Sequence, residues 1–220
     1  YKGLIGRIAP IIVHFSMILI LVGTIFGAVN GFKAQEIIPK TETFHIQNIL
    51  TNGQLTTIPK VSARVNDFWI TYTKEFKIDQ FYSDLSIFDQ KGNEIKRKTI
   101  FVNEPLTFDN LVLYQTDWDI VGIKLKLNKN KTFQVPLKKI TKGGNSFWFG
   151  SLNLDNVLKT NLTIVVSDLN GKIYFYDAKG ILIEDSYVGG FIKADNNLNI
   201  QISDFITSTG LQIKSDPGIN

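Results

Sequence analysis

Few side chains in this sequence could do chemistry, and the first of them is His14. It is an imidazole set in an apolar run from Ile8 to Val29 that holds no Asp, Glu, Lys or Arg. A neutral ring nitrogen is a good axial ligand for iron, and a dry apolar wall suits a porphyrin. An ionisable group in hydrocarbon is costly and is kept where it pairs, relays protons or holds an ion or cofactor. Heme ligation is one reading of His14. A hydrogen bond to a neighbouring helix, or a ring that snorkels to the near interface, is the other. Met17 brings a thioether to about the same face, but a methionine in a membrane helix mostly packs.

The other candidates are weaker. Cysteine is absent, so there is no structural disulfide, catalytic thiol or thiolate metal site. The second histidine, His45, would have to carry a zinc site or a Ser–His–Asp triad alone, and it reads as a surface residue on a threonine-rich connection. Asp117 and Asp119 flank Trp118 and share one face of a strand. Paired carboxylates can split their pKa values or hold a cation. Without an Asp-rich or glycine-rich loop beside them, they read as surface charge next to a buried Trp. No catalytic residue is assigned.

These residues need elements to position them. About 20 apolar residues cross a bilayer as a helix, and the run that carries His14 is that long. At about 1.5 Å per residue, His14 lies roughly 9 Å in from Ile8, nearer the amino-terminal surface than the midplane. Gly23, Gly27 and Gly31 make two overlapping GxxxG spacings, a pattern that lets another helix approach closely. Gly23 points roughly opposite His14, so one face is expected to dock against a neighbouring helix while the other presents the imidazole. The stretch is too long for a signal-peptide core, so the span is expected to be retained. Lys2 and Arg7 before it balance Lys33 and Lys40 after it, and orientation is not decided. The chain starts at Tyr1 without an initiator Met and stops after the turn-like Ser215–Gly218, as a fragment of a longer protein would.

From Lys33 onward the rhythm changes to alternation: Ile123, Leu125 and Leu127 against Lys124 and Lys126, and Leu198, Ile200 and Ile202 against Asn199 and Gln201. Aromatic residues crowd the same runs at Phe68, Trp69 and Tyr72 and at Tyr174–Tyr176. Turn signals fall at Lys91–Asn93, Asn128–Lys131, Asn170–Gly171 and Lys179–Gly180. The predicted fold is mostly β, with one transmembrane helix followed by a large antiparallel sandwich or open barrel. Only Leu152–Lys159 reads as a short helix, capped by Asn153 or Asp155. The expected organisation is a membrane helix with its flank over 1–32, a β-rich extramembrane domain over 33–214, and a lead-in over 215–220 to a membrane helix beyond this chain.

The 24 Lys and Arg against 20 Asp and Glu leave a formal charge of +4, spread through strands and hairpins. The clusters Lys138, Lys139, Lys142 and Lys96, Arg97, Lys98 give no nucleic-acid module. Contact with anionic membrane lipid is the better expectation for a tethered domain. Richness in Asn, Lys, Ile and Phe points to an AT-rich coding genome such as a plastid's.

Several blocks carry a family resemblance. Gly6–His14 (GRIAPIIVH) resembles the histidine-bearing membrane helix of the ResB-like family, the large membrane subunit of the system II cytochrome c synthetase. Gln80–Ser86, and Val102–Leu106 leading to Tyr114–Trp118, are similar to further blocks of that family, and Ser215–Gly218 is similar to the segment before its last membrane helix. The blocks run in order over nearly the whole chain. One departure is Asp109, Asn110, where the family commonly has a glycine; Asn tolerates the left-handed conformation such a turn needs.

The resemblance implies biogenesis of c-type cytochromes at the step of heme delivery and attachment. It implies a CcsA-type heme-handling membrane partner and apocytochromes c as clients. His14 would be an axial ligand to heme in transit, bound b-type before attachment, with the second ligand from a partner helix. The chain would be a subunit without a catalytic centre of its own. Tyr114, Gln115, Asp117 and Trp118 are candidates for structure or partner contact. The implied location is a plastid thylakoid membrane with the β-rich domain in the lumen, or else a bacterial plasma membrane. Two alternatives stay open: a tethered β-domain that binds protein partners in an assembly or secretion machine without heme, and a membrane-anchored hydrolase built around Asp117, Asp119 or His45.

Overall fold

The computed structural model describes residues 2–75, 77–128, 131–153, 161–167, 169–195 and 198–215. The apolar run folds as α1 (Lys2–Asn30). Its stretch Ile8–Asn30 is long and apolar enough to cross a membrane, and its residues up to Phe26 are exposed, while Gly27, Val29 and Asn30 are partly covered. Pro10 lies inside this helix and has no N–H to give, so the carbonyl one turn earlier lacks its helical donor.

One residue, Gly31, separates α1 from β1 (Phe32–Pro39). The following strands are β2 (Thr43–His45), β3 (Ile49–Asn52), β4 (Ser62–Tyr72), β5 (Ile78–Phe88), β6 (Glu94–Phe101), β7 (Leu106–Phe108) and β8 (Leu111–Leu127). Then come β9 (Lys131–Pro136), β10 (Lys138–Lys142), β11 (Asn145–Asn153), β12 (Asn161–Val166), β13 (Lys172–Tyr176), β14 (Leu182–Tyr187), β15 (Phe191–Asp195) and β16 (Leu198–Ser215). The largest sheet runs β3-β1-β16-β8-β7, with β15 added beside β16 and β9 beside β8. A second sheet runs β10-β11-β12-β13-β14 and a third β2-β4-β5-β6. Every strand pairing among the described residues is antiparallel, as the alternation predicts.

The two longest strands set the architecture. β8 and β16 pair from Leu111↔Ser215 at one end to Leu127↔Ile200 at the other, with register shifts at Ile202/Asp204, Ile206/Thr207 and Gly210/Leu211. Because Ser215 also pairs with Phe32, the first strand residue after the helix, that end of the ribbon lies at the foot of α1. Near the foot the ribbon packs a proximal core with Phe32, Ala34, Ile38, Val65, Leu85, Ile87, Ile100, Leu106, Leu111, Leu113, Leu211 and Ile213. Further out it packs a distal core with Ile120, Ile123, Leu125, Trp148, Leu162, Ile164, Ile173, Phe175, Ile200 and Ile202 among others. Each fully buried Leu, Ile or Phe is worth about 1.5–3 kcal/mol over an exposed one, which is why strand faces follow the apolar alternation. The domain is thus two sandwiches threaded on one ribbon.

The foot is tightly closed. Gly53 N–H donates to the Gly31 carbonyl at 3.0 Å, and Leu55 N–H to the Val29 carbonyl at 3.0 Å. Thr56 Oγ1 donates to the Gly31 carbonyl at 2.8 Å. These donors take up carbonyls that a helix end leaves without intrahelical partners. A Cβ on Gly53 would lie 2.2 Å from the Val29 carbonyl oxygen, so only glycine fits there.

Local departures from expectation have local causes. Leu152 and Asn153 continue β11, paired with Leu162 and Asn161, so the proposed helix does not begin there; its remainder, 154–159, lies outside the described residues. The turn replacing the family's glycine puts Asp109, and not Asn110, at φ 47°. Gly92, Gly171 and Gly180 adopt φ of 84°, 91° and 78° at three of the expected turns. For the fourth, Asn128 has φ 49°, while 129 and 130 lie outside the described residues, as do 216–220 of the expected lead-in.

Candidate functional site

His14 Nδ1 lies 2.7 Å from the Pro10 carbonyl oxygen, four residues back on the same helix. A carbonyl only accepts, so Nδ1 carries the proton, and in the neutral form of the ring the lone pair is then on Nε2. A hydrogen bond from the other ring nitrogen is the usual way a protein fixes tautomer and orientation in a metal-ligating imidazole. The remaining polar side chains of the span satisfy themselves likewise. Ser16 donates to the Ile12 carbonyl at 2.8 Å, Thr24 to Ile20 at 2.8 Å, and Asn30 to Phe26 at 2.9 Å. The exposed Nε2 is therefore the one basic nitrogen lone pair that the span offers to a neighbour. Its chemistry fits heme iron.

Gly23 and Gly27 have open space where a Cβ would stand. Gly31 does not, since its Cβ would lie 2.7 Å from the Gly27 carbonyl oxygen and 3.0 Å from that of Ser215. The first two keep a free helix face, and the third belongs to the joint with the sheet.

Tyr114, Gln115, Asp117 and Trp118 sit on β8 where the two cores meet, remote from His14. His14 and Asn30 are 16 positions apart along the helix, about 24 Å. The structure therefore does not gather the candidates into one site. Gln115 is buried and its Oε1 accepts from Ser83 Oγ and, at 2.9 Å, from Thr209 Oγ1. Its Nε2 donates to the Asp117 carbonyl at 2.9 Å, which fixes the amide orientation. Asp117 Oδ1 accepts from Trp118 N–H at 2.8 Å. Tyr114 lies under Lys214, whose Nζ is 5.2 Å from the ring centre. Trp118 packs against Phe68, Phe81 and Trp148 at centroid distances of 6.5, 6.4 and 5.3 Å. It also borders an open cleft of about 530 Å³, with Ile78, Lys139 and Phe147.

Asp119 does not join Asp117 in a cation site. Its Oδ1 accepts from the Trp148 indole N–H and from Ile120 N–H. Among the described residues no group of three or more His, Asp or Glu is placed to hold a metal ion. His45 is exposed at the end of β2.

The lysine clusters also divide. In the first, Arg97 is bonded to Asp84, which holds the guanidinium above its ordinary pKa. Lys96 Nζ donates to the Thr107 carbonyl, and Lys98 pairs with Glu104. That cluster is engaged within the domain. Lys138, Lys139 and Lys142 lie on β10, an exposed edge strand of the distal sheet, where lysines discourage edge-to-edge pairing.

Sequence reasoning missed Ser83, Thr209 and Trp148. Ser83 lies in the Gln80–Ser86 block, but its contact with Gln115 spans 32 residues and leaves no local signal.

Comparison with known proteins places these features in a family. The model of the ResB-like family matches residues 1–172. The chain is 52% identical over 220 residues to "Cytochrome c biogenesis protein Ccs1" of Emiliania huxleyi, covering 100% of this chain and 50% of that protein. It is 57% identical over 222 residues to the protein of that name from Trieres chinensis, covering 100% and 52%. For the one from Porphyra purpurea the identity is 47% over 220 residues, covering 100% and 50%. The chain spans about half the length of the curated relatives it matches. No solved structure matches it. With its histidine-bearing helix, its β-rich domain and a match over residues 1–172, the chain belongs to the ResB-like family.

Proposed function

We infer that this chain is part of a membrane subunit for c-type cytochrome biogenesis, and that His14 ligates heme as cargo on its way to apocytochromes. The observation that carries this reading is the Nδ1 hydrogen bond to the Pro10 carbonyl, which leaves Nε2 as a free lone pair on an apolar helix. The names of the relatives support the pathway. Heme, when bound, supplies the vinyl groups that become joined to cysteine thiols of the cytochrome.

The chain's own residues hold and orient. Pro10 fixes the imidazole through its carbonyl, and the Ile and Val residues beside it keep that stretch of the helix apolar. Gly23 and Gly27 offer the close approach needed by a partner helix of CcsA type, which would bring the second axial ligand. The β-rich domain stands at the other end of the span and takes the apocytochrome, with the cleft beside Trp118 as its contact surface. Since the chain has no cysteine, it handles no thiol itself. The relatives' algal origin supports a thylakoid membrane with the domain in the lumen.

The test is the absorption spectrum of the full-length protein purified with its heme-handling partner, beside a His14→Ala version. A reduced Soret and α-band pattern of bis-histidine heme, lost in the variant and regained with added imidazole, is the expected result. No heme in either preparation, with cytochrome maturation intact in the variant, would leave a tethered binding domain.

A further inference from the structure

At the foot of α1, Lys33 of β1 and Lys214 of β16 stand directly opposite each other in the antiparallel register. Like charges at such a position repel, and sheets ordinarily avoid the arrangement. Both side chains border an open cleft of about 430 Å³, whose other walls include Gly27, Gly31, Thr51 and Gly53. Among the described residues no carboxylate lines this cleft. Among the described residues neither lysine has an ion-pair partner; Lys214 rests only on the Tyr114 ring. Lys40, the next cation in the chain and one residue past the end of β1, does have one, in Asp67 at 2.8 Å.

The lysines are not needed to cap the helix. Gly53 N–H, Leu55 N–H and Thr56 Oγ1 already occupy the Val29 and Gly31 carbonyls. The location adds the second half of the argument. Lys33 follows Asn30, the last residue of the span, by three positions, so the cleft opens at the level of the lipid headgroups. Two unpaired cations, a concave floor of glycines and a headgroup-level position describe a receptor for a single anion that is itself part of the bilayer.

We propose that Lys33 and Lys214 hold the charged headgroup of an anionic lipid, a phosphodiester or sulfonate, in the cleft between α1, β1 and β16. The headgroup anion cancels the repulsion between the two lysines, and its acyl chains enter the bilayer beside α1. The expected lipid stoichiometry is one, unlike the diffuse attraction of a basic patch.

The test uses the full chain reconstituted in phosphatidylcholine bilayers with a minor share of phosphatidylglycerol, extracted in mild detergent and read by native mass spectrometry for retained lipid. Each lysine near an anionic surface is worth about a fivefold change in affinity, so Lys33→Gln and Lys214→Gln should each lower retained phosphatidylglycerol by about that factor and multiply when combined. Lys33→Arg with Lys214→Arg should keep it, and Lys138→Gln with Lys139→Gln should not change it. Phosphatidylglycerol retention that survives the double Gln variant overturns the proposal. So does displacement of the lipid by millimolar inorganic phosphate, which would make the site one for free anions. None of these readouts involves heme, so they stand or fall apart from the role of His14.

Discussion

Ser83 and Gln115, 32 residues apart, share a buried hydrogen bond between Ser83 Oγ and Gln115 Oε1. It ties β5 to β8 across the waist between the two cores, with Thr209 of β16 as the third member at 2.9 Å from each. The two sequence blocks that resemble the family at Gln80–Ser86 and Tyr114–Trp118 meet at this contact. Neighbouring Thr207 and Ser208 are buried too, yet their hydroxyl oxygens have no partner among the described residues.

That contrast sets the first prediction. Gln115→Leu leaves Ser83 able to donate to Thr209 but strips the buried Thr209 hydroxyl of its acceptor, and should destabilise the domain by about 2 kcal/mol, while Thr207→Val removes a group that is already unsatisfied and should be neutral or stabilising. Chemical unfolding monitored by tryptophan fluorescence distinguishes them. Equal losses in both would mean that the waist tolerates no substitution of any kind.

At His14 the acceptor is a backbone carbonyl, so the side chain of residue 10 is dispensable for the tautomer. Pro10→Ala should leave the heme bands of the partnered protein in place. His14→Gln, whose amide is no substitute for an imidazole lone pair, should abolish them. Visible spectra of the two variants decide this, and loss of heme in Pro10→Ala would assign the proline a role through helix shape.

The glycines separate by their surroundings. Gly53→Ala forces a Cβ against the Val29 carbonyl and should cost about 1–3 kcal/mol of overpacking at the helix–sheet joint. Gly23→Leu meets nothing in this chain. It should leave the domain's thermal midpoint unchanged and weaken copurification of the partner subunit. A lowered midpoint without loss of partner would place the Gly23 face elsewhere.

Acid should loosen the β5–β6 hairpin. Asp89 is held below its ordinary carboxyl pKa of 3.8, first by the Asn93 side chain, then by backbone N–H groups of Asn93, Lys91 and Gly92. A depressed folded-state pKa means the stabilisation is complete above the unfolded value and fades as pH falls through the folded one. The melting difference between the native chain and Asp89→Asn should therefore be full near neutrality and shrink below about pH 4. A difference independent of pH would assign the effect to turn geometry alone.

Much of this fold is legible in the sequence because its causes are local. The alternation at Ile123, Leu125 and Leu127 marks the face that is buried in the distal core, and the apolar run that carries His14 becomes a helix throughout. The pairing of β8 with β16 is not legible, since their partners lie roughly 70 to 100 residues apart in sequence and bulges shift the register. For the same reason Trp118 could be read as a packing residue while its neighbour Trp148 stayed unseen. The spacing of Pro10 and His14 was on view, four residues apart, but only a built helix shows that one ring nitrogen folds back onto that carbonyl.

A single glycine between α1 and β1 leaves the domain no slack. On a flexible linker, a domain samples many orientations above a bilayer, and each productive encounter with a membrane neighbour requires that freedom to be lost anew. Here the loss occurs once, when the chain folds. Whatever the two sandwiches hold is presented at one height and one heading, at an effective concentration that a tether would dilute.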